Sequence, residues 1–225
     1  MRQATLVAFY GPKRNPLRNL LRSWQDRLAG SIRQLGAQMV FRPYPLAQIH
    51  GTLLGLETLP QPGLYNRNLH DFGGRLQAMR LPELFAFVPD SGHLPFDVRF
   101  GGFEDREYPF RSRGARPYQR SFSIQEKTAV VIGWPVRTAR DGHPSILEWT
   151  LTLEDLRRSA QRFNVLHRWH REPADVDNDL YLRLGVFEGE LTEPQRQLVE
   201  QAIAPVLQAH TPGAAGRIYR DRRAQ

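Results

Sequence analysis

The stretch "QIHGTLLGLE", residues 48–57, places a histidine, a glycine and a threonine inside an apolar run. In a β-strand, side chains at i and i+2 point to the same face, so His50 and Thr52 project together and Gly51 leaves the other face bare. A threonine hydroxyl can donate to a phosphoryl oxygen, and an imidazole can transfer a proton near neutral pH. The pattern therefore predicts a strand that carries a phosphate site. The alternative is that His50 is a buried polar residue satisfied by its neighbours.

The composition is that of a globular protein with one large domain or two small lobes. The chain has 225 residues, of which 40% are hydrophobic and 24% charged. No apolar run approaches the roughly 18–20 residues that a membrane span needs, and the amino-terminal apolar run is too short for a signal-peptide core. We therefore expect a cytoplasmic protein without membrane contact. The absence of cysteine excludes disulfides and thiolate metal sites.

The charge is strongly basic, with 31 Lys and Arg residues against 23 Asp and Glu and a net charge of +8. All the basic residues except Lys13 and Lys127 are arginine, whose planar fork binds phosphate in bidentate fashion. This composition favours RNA or a nucleotide as partner, although a GC-rich genome would produce the same bias. In residues 106–122 arginines alternate with aromatic rings, which is typical of a single-stranded RNA surface or of a solvated hairpin.

Periodicity and turn residues predict alternating strands and helices. The predicted strands and extended segments are 4–11, 39–45, 49–56, 94–103, 127–136 and 179–188, and the predicted helices are 15–36, 152–169 and 192–210. A strand–helix–strand pattern in the first third returns in the last third, where the strand reads "YLRLG". The sequence therefore predicts an α+β fold with two similar lobes.

This layout, together with "HGTLLG", resembles the two-histidine (2H) phosphoesterase superfamily, which includes bacterial RNA 2′,3′-cyclic phosphodiesterases once called 2′-5′ RNA ligases. The resemblance implies two pseudo-symmetric lobes of mainly antiparallel sheet, with outer helices, around a central groove. We expect the lobes at roughly 1–90 and 91–210, interleaved in a single domain spanning 1–225, with a basic tail at 211–225. Each lobe of such proteins supplies an H-x-T/S motif, and the reaction needs no metal or other cofactor.

The second motif departs from the family pattern. Aligning "YLRLG" with the family motif places Tyr181 where the second histidine stands and Arg183 where the second hydroxyl stands. These two side chains would share a face by the i, i+2 rule and could bind phosphate. A literal H-x-S occurs elsewhere, at His143-Pro144-Ser145, but it follows a turn and its proline cannot donate a ladder hydrogen bond. Both assignments stay open at this point.

The resemblance implies a phosphodiesterase-like protein that acts on RNA ends or small nucleotides with a cyclic or 2′-5′ phosphodiester. His50 and Thr52 would be the catalytic pair, and Tyr181 and Arg183 would bind the substrate. The alternative is a catalytically degenerate protein that binds RNA or a nucleotide, which the missing second histidine favours. A protein-interaction scaffold with a structural His50 is a third possibility.

Two further patterns suggest metal ligands. His167 and His170 stand at i, i+3 near the end of the predicted 152–169 helix, where they could hold a metal or complement the helix dipole. The second interpretation is preferred, because no third ligand is defined. The acidic segment "DVDND", residues 175–179, lacks the central glycine and closing glutamate of a calcium loop.

Overall fold

The computed structural model has a mixed helix and antiparallel-sheet architecture, as the α+β prediction requires. It describes residues 3–34, 39–100, 105, 107–108, 110–138, 147–189, 192–209 and 215–218. The alternative second motif, His143-Pro144-Ser145, lies outside the described residues. None of the helices in these ranges has both the length and the apolar character needed to cross a bilayer.

The strands form one sheet in which the central path runs β1-β3-β8-β6-β4-β9. Their bounds are β1 (Gln3–Ala8), β2 (Val40–Pro43), β3 (Gly51–Glu57), β4 (Phe96–Phe100), β5 (Phe122–Gln125), β6 (Thr128–Thr138), β7 (Leu147–Trp149), β8 (Leu180–Glu188) and β9 (Ala215–Ile218). Strand β2 also pairs with β8, while β5 and β7 pair with β6. All pairings among these strands are antiparallel.

The helices vary in length from one turn to five. They are α1 (Leu17–Gln34), α2 (Arg67–Asp71), α3 (Leu81–Asp90), α4 (Pro117–Arg120), α5 (Thr152–Ser159) and α6 (Glu193–Ala209), with 3₁₀ turns at Leu46–Gln48 and Ala160–Phe163. Helix α1 buries the stripe Leu21, Trp24, Leu28 and Ile32, each worth about 1.5–3 kcal/mol in removed apolar surface.

One face of β8 belongs to the same hydrophobic core as α1. Leu180, Leu182 and Leu184 are fully buried in the cluster that also contains the α1 stripe. Because strand side chains alternate, Tyr181 and Arg183 point to the opposite face of the sheet. Helix α1 and the candidate site residues Tyr181 and Arg183 therefore lie on opposite sides of β8.

One helix predicted in the second half of the chain is shorter than expected. The helix predicted at 152–169 ends with α5 and the following 3₁₀ turn, because Asn164 adopts the left-handed conformation that terminates helices (φ 61°). His167 and His170 therefore lie in a loop rather than at a helix end. Residues 215–218, within the predicted basic tail, form β9 against β4.

Candidate active site

The four residues singled out in the sequence line one cleft of about 210 Å³. His50, Thr52, Tyr181 and Arg183 are all in its wall. Strands β3 and β8 run antiparallel, with Gly51 opposite Leu182. Continued by one residue in each direction, this register sets His50 across from Arg183 and Thr52 across from Tyr181. The two i, i+2 pairs therefore meet as a compact group of four side chains.

Each of the two strands contains a β-bulge, which is one extra residue relative to the neighbouring strand, directly after its i, i+2 pair. In β3, Leu53 is extra relative to β1, because Thr52 pairs with Val7 and Leu54 pairs with Leu6. In β8, Leu184 is extra relative to β6, because Arg183 pairs with Val130 and Gly185 with Ala129.

A bulge shifts the alternation of side chains by one residue. Beyond Leu53, the residues of β3 that face the cleft are therefore Gly55 and Glu57. The bulge thus extends the cleft wall along β3, whereas strict alternation from Thr52 would have turned Leu54 and Leu56 toward it. Both leucines are instead buried in the core.

The bulge in β3 is held by Arg157 of α5, whose side chain is fully buried. Its Nε donates to the Leu53 carbonyl at 2.9 Å, and its Nη2 donates to the Thr52 carbonyl at 3.0 Å. Its Nη1 donates to the Asp177 carbonyl at 2.7 Å and lies 3.3 Å from the Asp177 carboxylate. The guanidinium therefore satisfies backbone carbonyls that a bulge removes from the regular ladder.

Sequence reasoning missed Arg157, although a signal was present. It follows Leu153 by one helical turn and precedes Ala160 by three residues, and both of those residues are buried. A charged residue on the apolar stripe of a helix indicates a buried ionic partner.

Gly51 is required by the close approach of β3 to β8. A Cβ atom at this position would lie 2.7–2.9 Å from the branched end of the Leu180 side chain. The bare face that the sequence predicted opposite His50 and Thr52 is therefore occupied by Leu180.

The imidazole of His50 is held in one tautomer. Its Nδ1 lies 2.7 Å from the backbone carbonyl oxygen of Gln48. A carbonyl oxygen only accepts, so Nδ1 carries the hydrogen, and Nε2 of the neutral ring is left as an acceptor. The ring is half-buried, and the exposed Tyr10 ring lies 5.8 Å from it. This arrangement suits His50 to accept a proton within the cleft.

A second imidazole in the cleft wall, that of His167, is arranged differently. His167 is buried, its Nε2 lies 3.0 Å from Asp177 Oδ2, and the Gly55 N–H makes a long hydrogen bond of 3.5 Å to its Nδ1. Burial lowers its pKa well below the usual value, and the nearby Arg157 lowers it further. His167 is thus a neutral ring with both nitrogens engaged, which suits a structural role.

His170 is paired with a carboxylate of its own. Its Nε2 lies 2.8 Å from Glu154 Oε2, which also accepts from the Asp177 N–H at 2.8 Å. Burial by itself raises the pKa of Glu154, but the hydrogen bonds from His170, Asp177 and Arg158 outweigh burial and bring that pKa to about 2. The i, i+3 histidines therefore each contact a different carboxylate.

Two aspartates of the acidic segment at 175–179, Asp177 and Asp179, are paired with arginines. Asp179 is fully buried and accepts from Arg113 at 3.2 Å and from Arg120 Nε at 3.0 Å. Asp177 is paired with Arg157. In the part of the chain that the structure describes, no group of three or more His, Asp or Glu residues is placed to hold a metal ion.

An aromatic residue in the cleft wall, Trp169, is surrounded by guanidinium groups. Those of Arg113, Arg168 and Arg171 lie 4.4, 5.2 and 5.3 Å from the centre of its ring. Trp169 also lines an adjoining pocket of about 230 Å³, which shares Arg168, Tyr181 and Arg183 with the cleft. The cleft is therefore rich in cations and has an aromatic wall.

Of the arginine-rich stretch 106–122, Arg113 reaches this wall. Other arginines of the stretch make ion pairs away from the cleft: Arg111 pairs with Glu107 and Arg116 pairs with Asp105. In the described part of this stretch, Arg111, Arg116 and Arg120 thus each contact a carboxylate of the protein.

Comparisons with known proteins do not assign this chain to a family. The chain matches no model of a known protein family, and no curated protein sequence matches it at a significant level.

Proposed function

We propose that this protein is a phosphodiesterase of the two-histidine type, acting on RNA ends or small nucleotides that carry a cyclic or 2′-5′ phosphodiester. The observation that carries the proposal is the convergence of His50, Thr52, Tyr181 and Arg183 on one cleft. The matching bulges after the two pairs, and the pairing of Gly51 with Leu182 midway between them, support a pseudo-symmetric relation of two lobes around this groove.

The four side chains offer a complete set of groups for a phosphodiester hydrolysis without a metal. The Thr52 hydroxyl and the Arg183 guanidinium bind the phosphoryl oxygens, and Arg183 offsets the charge that develops on them. Nε2 of His50 takes a proton from a water molecule whose oxygen attacks phosphorus. The bond from phosphorus to a ribose oxygen breaks, and that oxygen takes a proton from the Tyr181 hydroxyl. Solvent then returns the proton from His50 to Tyr181.

The surroundings of the cleft favour a nucleotide over other phosphate esters. Arg168 and Arg183 are exposed cations in the wall, and Trp169 is an aromatic surface beside them. Arginine with an aromatic ring is the combination that binds an unstacked base and its phosphate.

A catalytically degenerate RNA- or nucleotide-binding protein is the second candidate. The observation that favours it is the state of His167, whose nitrogens are both engaged and which therefore cannot replace the second histidine of the family pattern. In that case the same four residues bind phosphate without turnover.

The test is hydrolysis of an oligoribonucleotide with a 2′,3′-cyclic phosphate end, and of a 2′-5′-linked dinucleotide, in the presence of a chelator. We expect His50→Ala to reduce turnover by about 100-fold or more, because a positioned general base contributes at least that factor. The control is His70→Ala, since His70 is an exposed histidine of α2 that does not line the cleft. Equal turnover by wild type and His50→Ala would refute the catalytic role. Salt-dependent RNA binding without turnover would establish the second candidate.

A further inference from the structure

A pocket of about 280 Å³ adjoins the cleft between the end of β3 and helix α2. It shares Glu57 and Arg168 with the cleft, so these two residues stand between the neighbouring spaces. Its other lining residues are Thr58, Arg67, Asn68, Asp71, Phe72 and Arg171. The volume is at the small end of ligand sites, which suits one nucleoside rather than a longer ligand.

Glu57 is the acidic residue among those that line the cleft, and its carboxylate is fixed in place. The amide of Asn68, which is buried, donates to Glu57 Oε2 and to the Leu166 carbonyl oxygen. A carboxylate repels a phosphate and only accepts hydrogen bonds, so its partner on a substrate must be a group of N–H or O–H donors. The bulge at Leu53 is what turns this carboxylate toward the cleft.

Phe72 supplies an aromatic surface in the same pocket. It is 46% exposed, and the guanidinium of Arg171 lies 5.1 Å from the centre of its ring. The same guanidinium lies 5.3 Å from the Trp169 ring, so Arg171 connects the pocket to the aromatic wall of the cleft. An exposed aromatic ring beside a guanidinium is a platform on which a nucleobase stacks.

We propose that this pocket is a base-binding subsite that holds the nucleobase next to the scissile phosphate and prefers guanine. The proposal rests on the proposed function in one respect, that the cleft holds the phosphate. Guanine presents two adjacent N–H donors on its Watson–Crick edge, which the Glu57 carboxylate accepts together. Uracil presents one N–H between two carbonyl oxygens, and the negative carboxylate repels both of these oxygens. Adenine and cytosine present an amine beside a ring acceptor.

The test uses guanosine 2′-monophosphate and uridine 2′-monophosphate, which resemble reaction products and bind without turnover. Calorimetric titration of the wild type should give a Kd for the guanosine nucleotide about 10-fold lower than for the uridine nucleotide, the discrimination expected of a bidentate contact. Glu57→Gln should reduce this ratio to about 2-fold or less, because an amide brings a donor to the same edge. Glu83→Gln is the matched control and should keep the wild-type ratio, since Glu83 is an exposed carboxylate of α3 that lines neither the cleft nor the pocket.

A second variant tests the stacking surface. Phe72→Ala should weaken the binding of both nucleotides by about 10-fold and leave the ratio of their Kd values unchanged, while Phe72→Tyr should bind as the wild type does.

Equal affinity of the wild type for the two nucleotides, a ratio that survives Glu57→Gln, or no binding of either would each overturn the subsite. Turnover without base preference would overturn the subsite but leave the phosphodiesterase. Base-selective binding without turnover would support the subsite and overturn the phosphodiesterase.

Discussion

At the scale of single residues, the two histidines of the cleft differ in what their ring nitrogens can do. His50 donates from Nδ1 to a backbone carbonyl, which leaves Nε2 as an acceptor in the cleft. His167 is buried with Asp177 on one nitrogen and Gly55 on the other. The same side chain therefore keeps a nitrogen free to accept a proton at one position and has both nitrogens bonded at the other. The difference arises from burial and from the partners of each ring.

The buried state of His167 predicts a pH dependence of stability. Its pKa is well below the ordinary value in the folded protein, so the unfolded chain takes up a proton below about pH 6.5 while the folded protein does not. Stability contributed by the neutral ring is present above that pH and is lost as the pH falls. We expect the free energy of unfolding to drop by up to about 1.4 kcal/mol per pH unit between about pH 6 and pH 5.

Urea denaturation across this range measures the effect. His167→Gln should be less stable than wild type at neutral pH, but its free energy of unfolding should change less with pH between about pH 6 and pH 5. His70→Gln, at an exposed position, should keep the wild-type slope. An unchanged slope in His167→Gln would mean that its ring is not the group responsible. Glu154 affects stability only at a lower pH. Its pKa in the folded protein is about 2, below the ordinary pKa of a glutamate, so the stability that it contributes is lost only when the pH falls below that ordinary pKa.

At the scale of elements, β3 and β8 position the site by their close approach. Gly51 pairs with Leu182, and its missing side chain makes room for Leu180. The approach brings the two i, i+2 pairs into the wall of one cleft. A side chain at this glycine would push the strands apart at the point where the site is assembled.

We therefore predict that Gly51→Ala destabilises the protein by about 1–3 kcal/mol, because the new Cβ overlaps the Leu180 side chain. In the double variant Gly51→Ala/Leu180→Val, the shorter side chain at 180 should make room for the new Cβ. The stability lost in the double variant should therefore be smaller than the sum of the losses in the two single variants. The control is Gly30→Ala in the interior of α1, where no atom lies within 4 Å of the added Cβ. That change should stabilise by about 0.5–1 kcal/mol. Chemical denaturation compares the wild type with the three single variants Gly51→Ala, Leu180→Val and Gly30→Ala and with the double variant, and an unaffected Gly51→Ala would refute the contact.

At the scale of the whole molecule, Arg157 connects parts of the chain that lie far apart in sequence. Its guanidinium joins α5 to the bulge of β3, 104 residues away, and to Asp177 in the loop that precedes β8. Asp177 in turn contacts His167 in the cleft wall. The orientation of the cleft wall thus depends on a buried ionic network behind it.

We expect Arg157→Met to destabilise the protein by about 3–5 kcal/mol, since it leaves the Leu53, Thr52 and Asp177 carbonyls without this donor and takes a cation away from the buried Asp177 carboxylate. Arg33→Met, at an exposed position in the last turn of α1, is the control and should change stability by about 0.5 kcal/mol or less. Thermal and urea unfolding compare the two variants. A loss similar to that of the control would show that the bulge does not depend on Arg157.

The sequence alone predicted the features that depend on neighbours along the chain. The stripe of α1, the strands β3, β6 and β8, and the common face of each i, i+2 pair all follow from periods of 3.6 or 2 residues. The choice of Tyr181 and Arg183 as the pair that faces His50 and Thr52 came from the family resemblance, and the structure brings all four together. The early end of α5 was missed, because Asn164 adopts a conformation that no periodic pattern reveals.

Tertiary structure alone decided the remainder of the site. The bulges after Thr52 and Arg183, the anchoring of Thr52 and Leu53 by Arg157, and the turning of Glu57 toward the cleft depend on pairing between distant segments. Buried ion pairs form where the fold excludes water from groups that share no local pattern, so the sequence shows the charged residues but not their partners. The chain thus determined which residues could bind a phosphate, and the packing of α5 and its loop against β3 determined how they are held.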